Sequence, residues 1–201
     1  MNKKIIILIG LLCIVYIFIF FIPDRVDKLA LDPEKVNEGG YYRFFTYPFT
    51  HLNGKHLIEN IIGAILIAII ATELKIEFSY FIAIYLAAGF LAVLPVWVVW
   101  QFIALGASTA VFGGFGLVSK ETPKYNMNIV FVILIILAFT FISSIFRFLS
   151  GGVDNQFIQS FKQDVSHFAG FLFGIAAYSG ALKMNYAFTK HKRRLLRRMD
   201  A

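Results

Sequence analysis

The stretch Gly106-Ala107-Ser108-Thr109-Ala110-Val111-Phe112-Gly113 decides how this chain is read, because the apolar run that starts at Ser108 ends by Lys120. As a helix, that run covers about 18 Å at about 1.5 Å per residue, against a hydrocarbon core of about 30 Å. One of its ends therefore stops inside the membrane. With Lys120, Glu121 and Lys124 marking the aqueous end, Ser108 lies at depth, at a helix N-terminus whose free N–H groups and positive dipole end favour an oxyanion. Irregular backbone at that depth is tolerated only where protein encloses it or it lines a water-filled cavity. A buried, wetted serine is the expectation.

Outward from that stretch, composition sets the class. Of 201 residues 59% are hydrophobic and only 15% charged, which excludes a soluble domain and fits one all-α polytopic membrane domain of about six spans. Cys13 is the single cysteine and stands in an apolar run, so no internal disulfide can form. Positive charge gathers at one end: Lys183, Lys190, Lys192, Arg193, Arg194, Arg197 and Arg198 follow the last apolar run, opposed by Asp200. A basic tail also suits nucleic acid, but one placed directly after a spanning segment is explained by positive-inside retention and anionic lipid, so no nucleic-acid partner is expected. Lys3 and Lys4 put the N-terminus on the same side, which predicts both termini in the cytosol of a cell with this protein in its plasma membrane.

The expected spans are 5–22, 56–71, 78–99, 108–120, 129–147 and 165–182, in a single domain over 1–201 with a basic tail at 183–201. The first is too long, and lacks the small-residue cleavage pattern, for a signal peptide. Residues 23–55 read as an external loop of mixed charge. Its second half, dense in Tyr41, Tyr42, Phe44, Phe45, Tyr47 and Phe49, is expected to lie in the interface. Trp97 and Trp100 suit the outer end of the third span, and Gly151-Gly152 opens an expected external loop running to about residue 163.

Within the apolar runs the polar residues carry the functional signal, because an ionisable group in a membrane is costly. His167 counts back to the outer half of the bilayer, as Ser108 does, so a Ser–His pair is geometrically possible. Gly170 and Gly174 follow His167 on nearly the same helix face, and Gly113, Gly114 and Gly116 follow Ser108, so the two helices can approach closely. The second span opens with His51, His56 and Asn60. His56 and Asn60 are i, i+4 neighbours that either solvate a helix end or donate to a developing oxyanion. Asp164, one turn before His167, reads as a helix-start cap, and Glu59 as a packing or interfacial group.

Taken together these residues resemble the rhomboid intramembrane serine proteases, through three motifs. They are Gly106-x-Ser108 at the start of the fourth span, His51-x-x-x-x-His56-x-x-x-Asn60 in the second, and His167-x-x-Gly170-x-x-x-Gly174 in the sixth. Arg43 stands at the matching distance before His51. The resemblance covers essentially the whole chain and implies a basic six-helix core that cleaves transmembrane protein substrates in the bilayer. It further implies Ser108 as nucleophile, His167 as general base, and the Ser108 backbone N–H with His56 and Asn60 as the oxyanion site. Gly106, Gly170, Gly174, His51 and Arg43 would be supporting residues, and Phe112 would pack on the catalytic imidazole. No metal or cofactor is implied. Two positions depart from the family pattern: Thr109 stands where a small Gly is usual, and Tyr42 where Trp is common. The competing readings are a catalytically silent rhomboid-like protein that binds membrane clients, which intact Ser108 and His167 argue against, and a small transporter, for which internal repeat symmetry is expected and not found.

Overall fold

Long apolar runs fold as helices here because a backbone N–H or C=O left open in hydrocarbon finds no water, whereas a helix satisfies each one internally. The computed structural model of the protein describes the backbone of residues 3–199 and the side chains of residues 3–190. Of the charges assigned to the basic tail, the side chains of Lys192, Arg193, Arg194, Arg197, Arg198 and Asp200 lie outside the described residues.

Helix α1 (Lys3–Phe20) is followed by three short helices, α2 (Arg25–Leu29), α3 (Pro33–Asn37) and α4 (Arg43–Thr46), and a 3₁₀ turn at Tyr47–Phe49. Next come α5 (Gly54–Glu73), α6 (Phe78–Leu91), α7 (Leu94–Trp100) and α8 (Ser108–Ser119). A 3₁₀ turn at Thr122–Tyr125 leads to α9 (Ile129–Gly151) and α10 (Asn155–Met199). Among the described residues, five helical stretches are long and apolar enough to cross a membrane: α1, α5, Phe78–Trp100, α9, and Asn155–Lys190 within α10. The Ser108 helix is the shorter apolar one. The fold is thus the all-α polytopic bundle expected.

Local chemistry sets the boundaries. Asn53 caps α5 by accepting the His56 N–H at 2.9 Å, and Asn128 caps α9 by accepting the Val130 N–H at 2.8 Å. The third apolar run, read as one helix, is broken between Leu91 and Leu94. Pro95 has no N–H to give and its ring clashes with the carbonyl four residues back, which belongs to Leu91, the last residue of α6.

Helix α8 forms the centre of the bundle. Most of its residues are buried, and it packs most extensively against α10, then α6 and α5. Glycines make this possible: a Cβ on Gly174 would fall on the Gly113 carbonyl, one on Gly116 would fall on the Phe171 carbonyl, and one on Gly170 would come within 2.6 Å of the Thr109 carbonyl. Inside lipid, where tails are as apolar as leucine, such close van der Waals packing is what draws helices together.

The last hairpin corrects the sequence reading. The residues expected as an external loop from Gly151 to Gln163 are helical apart from a tight turn. Gly152, at φ +70°, ends α9 by donating its N–H to the Phe148 carbonyl at 2.9 Å, and Asp154 caps α10 by accepting the Phe157 N–H at 2.6 Å. Asp164 is therefore not a cap. It lies in the third turn of α10, buried, and accepts the Ser144 hydroxyl of α9 at 2.5 Å. The polar residues of 155–163 suggest a loop by composition, yet they alternate with an aromatic stripe. Phe157 packs on Phe148 at 5.8 Å and Phe161 on Phe141 at 5.9 Å between ring centroids. At 36 residues, Asn155–Lys190 is about 54 Å long and outreaches the hydrocarbon core of about 30 Å.

Candidate active site

The chain before α8 is pinned to the first loop. Leu31 and Ala104 exchange both backbone bonds, at 2.9 and 3.0 Å, and the Gly106 N–H donates to the Tyr47 carbonyl at 2.9 Å. Tyr47 is itself held by its hydroxyl, which donates to the Gly89 carbonyl of α6 at 2.5 Å. On the loop side, Arg43 is buried and its Nη1 donates to the Ala30 carbonyl at 2.9 Å, while Tyr42 and Thr46 hold the Lys28 and Leu29 carbonyls at 2.9 and 2.8 Å. Of the loop aromatics, Tyr41, Tyr42 and Phe45 are exposed, whereas Tyr47 is buried and Phe44 packs edge-on against Trp97 at 5.6 Å.

Gly106 is required by both conformation and space. Its φ is +97°, and a Cβ there would meet His56 Cε1 at 2.7 Å and Nε2 at 2.8 Å. This close approach brings the backbone leading into Ser108 against the two polar groups of α5. Asn60 is buried and its Nδ2 donates to the His56 carbonyl at 2.8 Å, which leaves a second amide hydrogen. His56 Nδ1 accepts the Leu52 N–H at 3.5 Å, and its Nε2 is buried without a partner among the described residues. That arrangement assigns the neutral tautomer with hydrogen on Nε2, an unused donor directed to the site. Behind it, His51 is fully buried, its ring 5.3 Å from both Tyr16 and His56. Burial, with His56 alongside, lowers the His51 pKa to about 4, so this ring supports its neighbour as an uncharged group near neutral pH.

No side chain caps α8, so the N–H groups of its first turn stay open at its N-terminal end. Ser108 is the first residue of that turn. Phe112, one turn on, lies flat on the His167 imidazole of α10 at 4.7 Å between centroids and 4° between planes. His167 Nε2 is buried with no partner, and among the described residues no hydrogen bond yet joins it to Ser108.

Ser108, His167 and His56 all line one cavity of about 480 Å³, together with Gly106, Thr109 and Tyr47. Asn60 does not line it and sits one turn behind His56. Glu59 borders the cavity and is ion-paired with Lys55 at 3.8 Å, so it is a rim group and not packed in the bundle. Missed in the sequence was a polar stripe of α10, Gln159, Gln163 and Ser166, which forms one wall. Its i, i+4, i+7 spacing on a helix was the available signal. Gly170 and Gly174 keep α10 against α8, as the close contacts above require.

The fold and the cavity define a polytopic helical membrane protein with a polar chamber at the N-terminus of a short central helix. A family model of the Rhomboid domain matches residues 38–183, a span that contains every residue of that chamber, and the chain belongs to the rhomboid family. No curated protein matches the chain.

Proposed function

We propose that this protein is an intramembrane serine endopeptidase that hydrolyses a peptide bond in or beside the transmembrane segment of another membrane protein. The observation that supports this most is the shared cavity of Ser108 and His167, with Phe112 stacked on the imidazole one turn from the serine. In this reading His167 takes the hydroxyl proton as Ser108 Oγ attacks the scissile carbonyl carbon. The oxygen that becomes negative is met by the Ser108 N–H, His56 Nε2–H and Asn60 Nδ2–H. His167 returns the proton to the leaving amine, and water entering the cavity then hydrolyses the acyl-enzyme with the same groups. No metal or cofactor enters the scheme. The test is incubation of the protein in lipid with single-span proteins, mapping of new termini, and fluorophosphonate labelling of Ser108. Client association without cleavage or label would instead establish a silent member of the family.

Oxyanion donors act on charge that exists only in the tetrahedral state, so removing one is expected to lower kcat by about 10 to 10³ with little change in KM. Asn60→Ala should do so while keeping most of its thermal stability. His56→Ala should be more damaging, since its ring also fills the space beside Gly106. An unchanged kcat in Asn60→Ala removes that residue from the site.

The distribution of Lys and Arg supports a plasma-membrane orientation with both termini in the cytosol and the cavity opening outward. Cysteines introduced at Asn37 and Asp154 are expected to react with an impermeant reagent added to sealed cells, and one at Asp200 is not. Labelling at position 200 would invert the orientation and move the cavity to the cytosolic leaflet.

A further inference from the structure

Thr109 carries a buried hydroxyl for which the fold supplies no partner. The residue is 4% exposed, its Oγ1 makes no hydrogen bond among the described residues, and it lines the cavity beside Ser108 and His167. Several other hydroxyls of the bundle are returned to their own helices, and that of Ser144 reaches Asp164 on the neighbouring helix. Thr140 donates to the Ile136 carbonyl at 2.6 Å, Ser166 to Lys162 at 2.8 Å, Ser179 to Ile175 at 2.7 Å and Ser119 to Gly116 at 2.7 Å. That outlet is closed to Thr109 by its position. It is the second residue of α8, so the carbonyls three and four residues back belong to Gly106 and Leu105, which lie outside the helix in the turn made by the positive φ of Gly106. Its backbone cannot shift to find another, because Gly170 of α10 is packed against the Thr109 Cα and carbonyl. Thr72 Oγ1 also has no partner among the described residues, but it does not line the cavity.

We propose that Thr109 is a specificity-determining residue whose hydroxyl hydrogen-bonds a polar uncharged side chain of the substrate, Ser, Thr or Asn, close to the scissile bond. This rests on the protease reading and names the substrate class of that same site. A buried hydroxyl is costly when unmade, so a site carrying one rejects a substrate that cannot pair with it more strongly than an apolar wall rejects a substrate with an extra hydroxyl. A substrate with Ala at the contacted position leaves Oγ1 unpaired, whereas one with Ser satisfies it. The expected preference is on the order of 10-fold in kcat/KM.

The experiment uses the full-length protein in lipid and matched single-span substrates carrying Ser or Ala at each of the residues flanking the cleaved bond. Wild type is expected to prefer Ser over Ala at one of these positions. In Thr109→Val, which keeps the shape and loses the hydroxyl, the Ser/Ala ratio at that position should fall towards one, and Thr109→Ser should restore it. Thr109→Ala replaces the Val variant where fluorophosphonate labelling shows that Val has not folded. A wild-type ratio of one at every position, or a ratio that survives loss of the hydroxyl, overturns the proposal and leaves the protease reading intact; such a hydroxyl is satisfied by water alone. Cleavage of no substrate by wild type overturns the protease reading itself.

Discussion

Ser108→Ala is expected to lower turnover of a transmembrane substrate by about 10⁴-fold or more, and to abolish fluorophosphonate labelling, while the protein remains inserted and folded. The size of the effect follows from covalent catalysis: without Oγ there is no acyl-enzyme, and what remains is whatever binding and the oxyanion donors provide. Stability is spared because the substitution removes one oxygen at the wall of a cavity and no helix contact depends on it. His167→Ala should lose turnover to a similar extent, and additionally lose the flat stack on Phe112. Nucleophile and base act as a unit, so the double variant should be about as inactive as either single one. Turnover by Ser108→Ala comparable to wild type would end the serine-protease reading.

The second large effect is structural. Gly174→Val is expected to destroy activity and fluorophosphonate labelling together with the folded state, because even the first added carbon would fall on the Gly113 carbonyl of α8. Overpacking of a well-fitted interface costs about 1 to 3 kcal/mol, and more where the obstacle is backbone and not a flexible side chain. The α8–α10 contact is the most extensive in the bundle, and it sets His167 over Phe112. Gly180→Val is the control: it lies on the same helix, with nothing within 4 Å of an added Cβ, and should leave thermal stability and labelling near wild type. Retention of a wild-type melting temperature by Gly174→Val would show that the helices do not meet as described.

Both outcomes depend on the same physical division between what a chain spells out locally and what packing assembles. Hydropathy and charge along the sequence were enough for the membrane class, the helical architecture and the short Ser108 helix, because in hydrocarbon every backbone group must be bonded within its own segment. Glycines at fixed spacing, and histidines where ionisable groups are penalised, marked the faces that meet. Four other features were not legible. The residues from Asn155 to Gln163 looked like a loop, since Gln156, Gln159 and Gln163 hide the aromatic stripe that makes them helical; only the rings of α9 reveal it. Asp164 looked like a cap for the same reason, and became a buried acceptor for Ser144 once the helix began at Asn155. The unused donor on His56 and the orphaned hydroxyl of Thr109 were decided by tertiary structure alone. Each depends on which polar atoms of distant segments come within bonding distance and which do not. A one-dimensional pattern records the period of each helix, but leaves open the partners that each side chain finds in space.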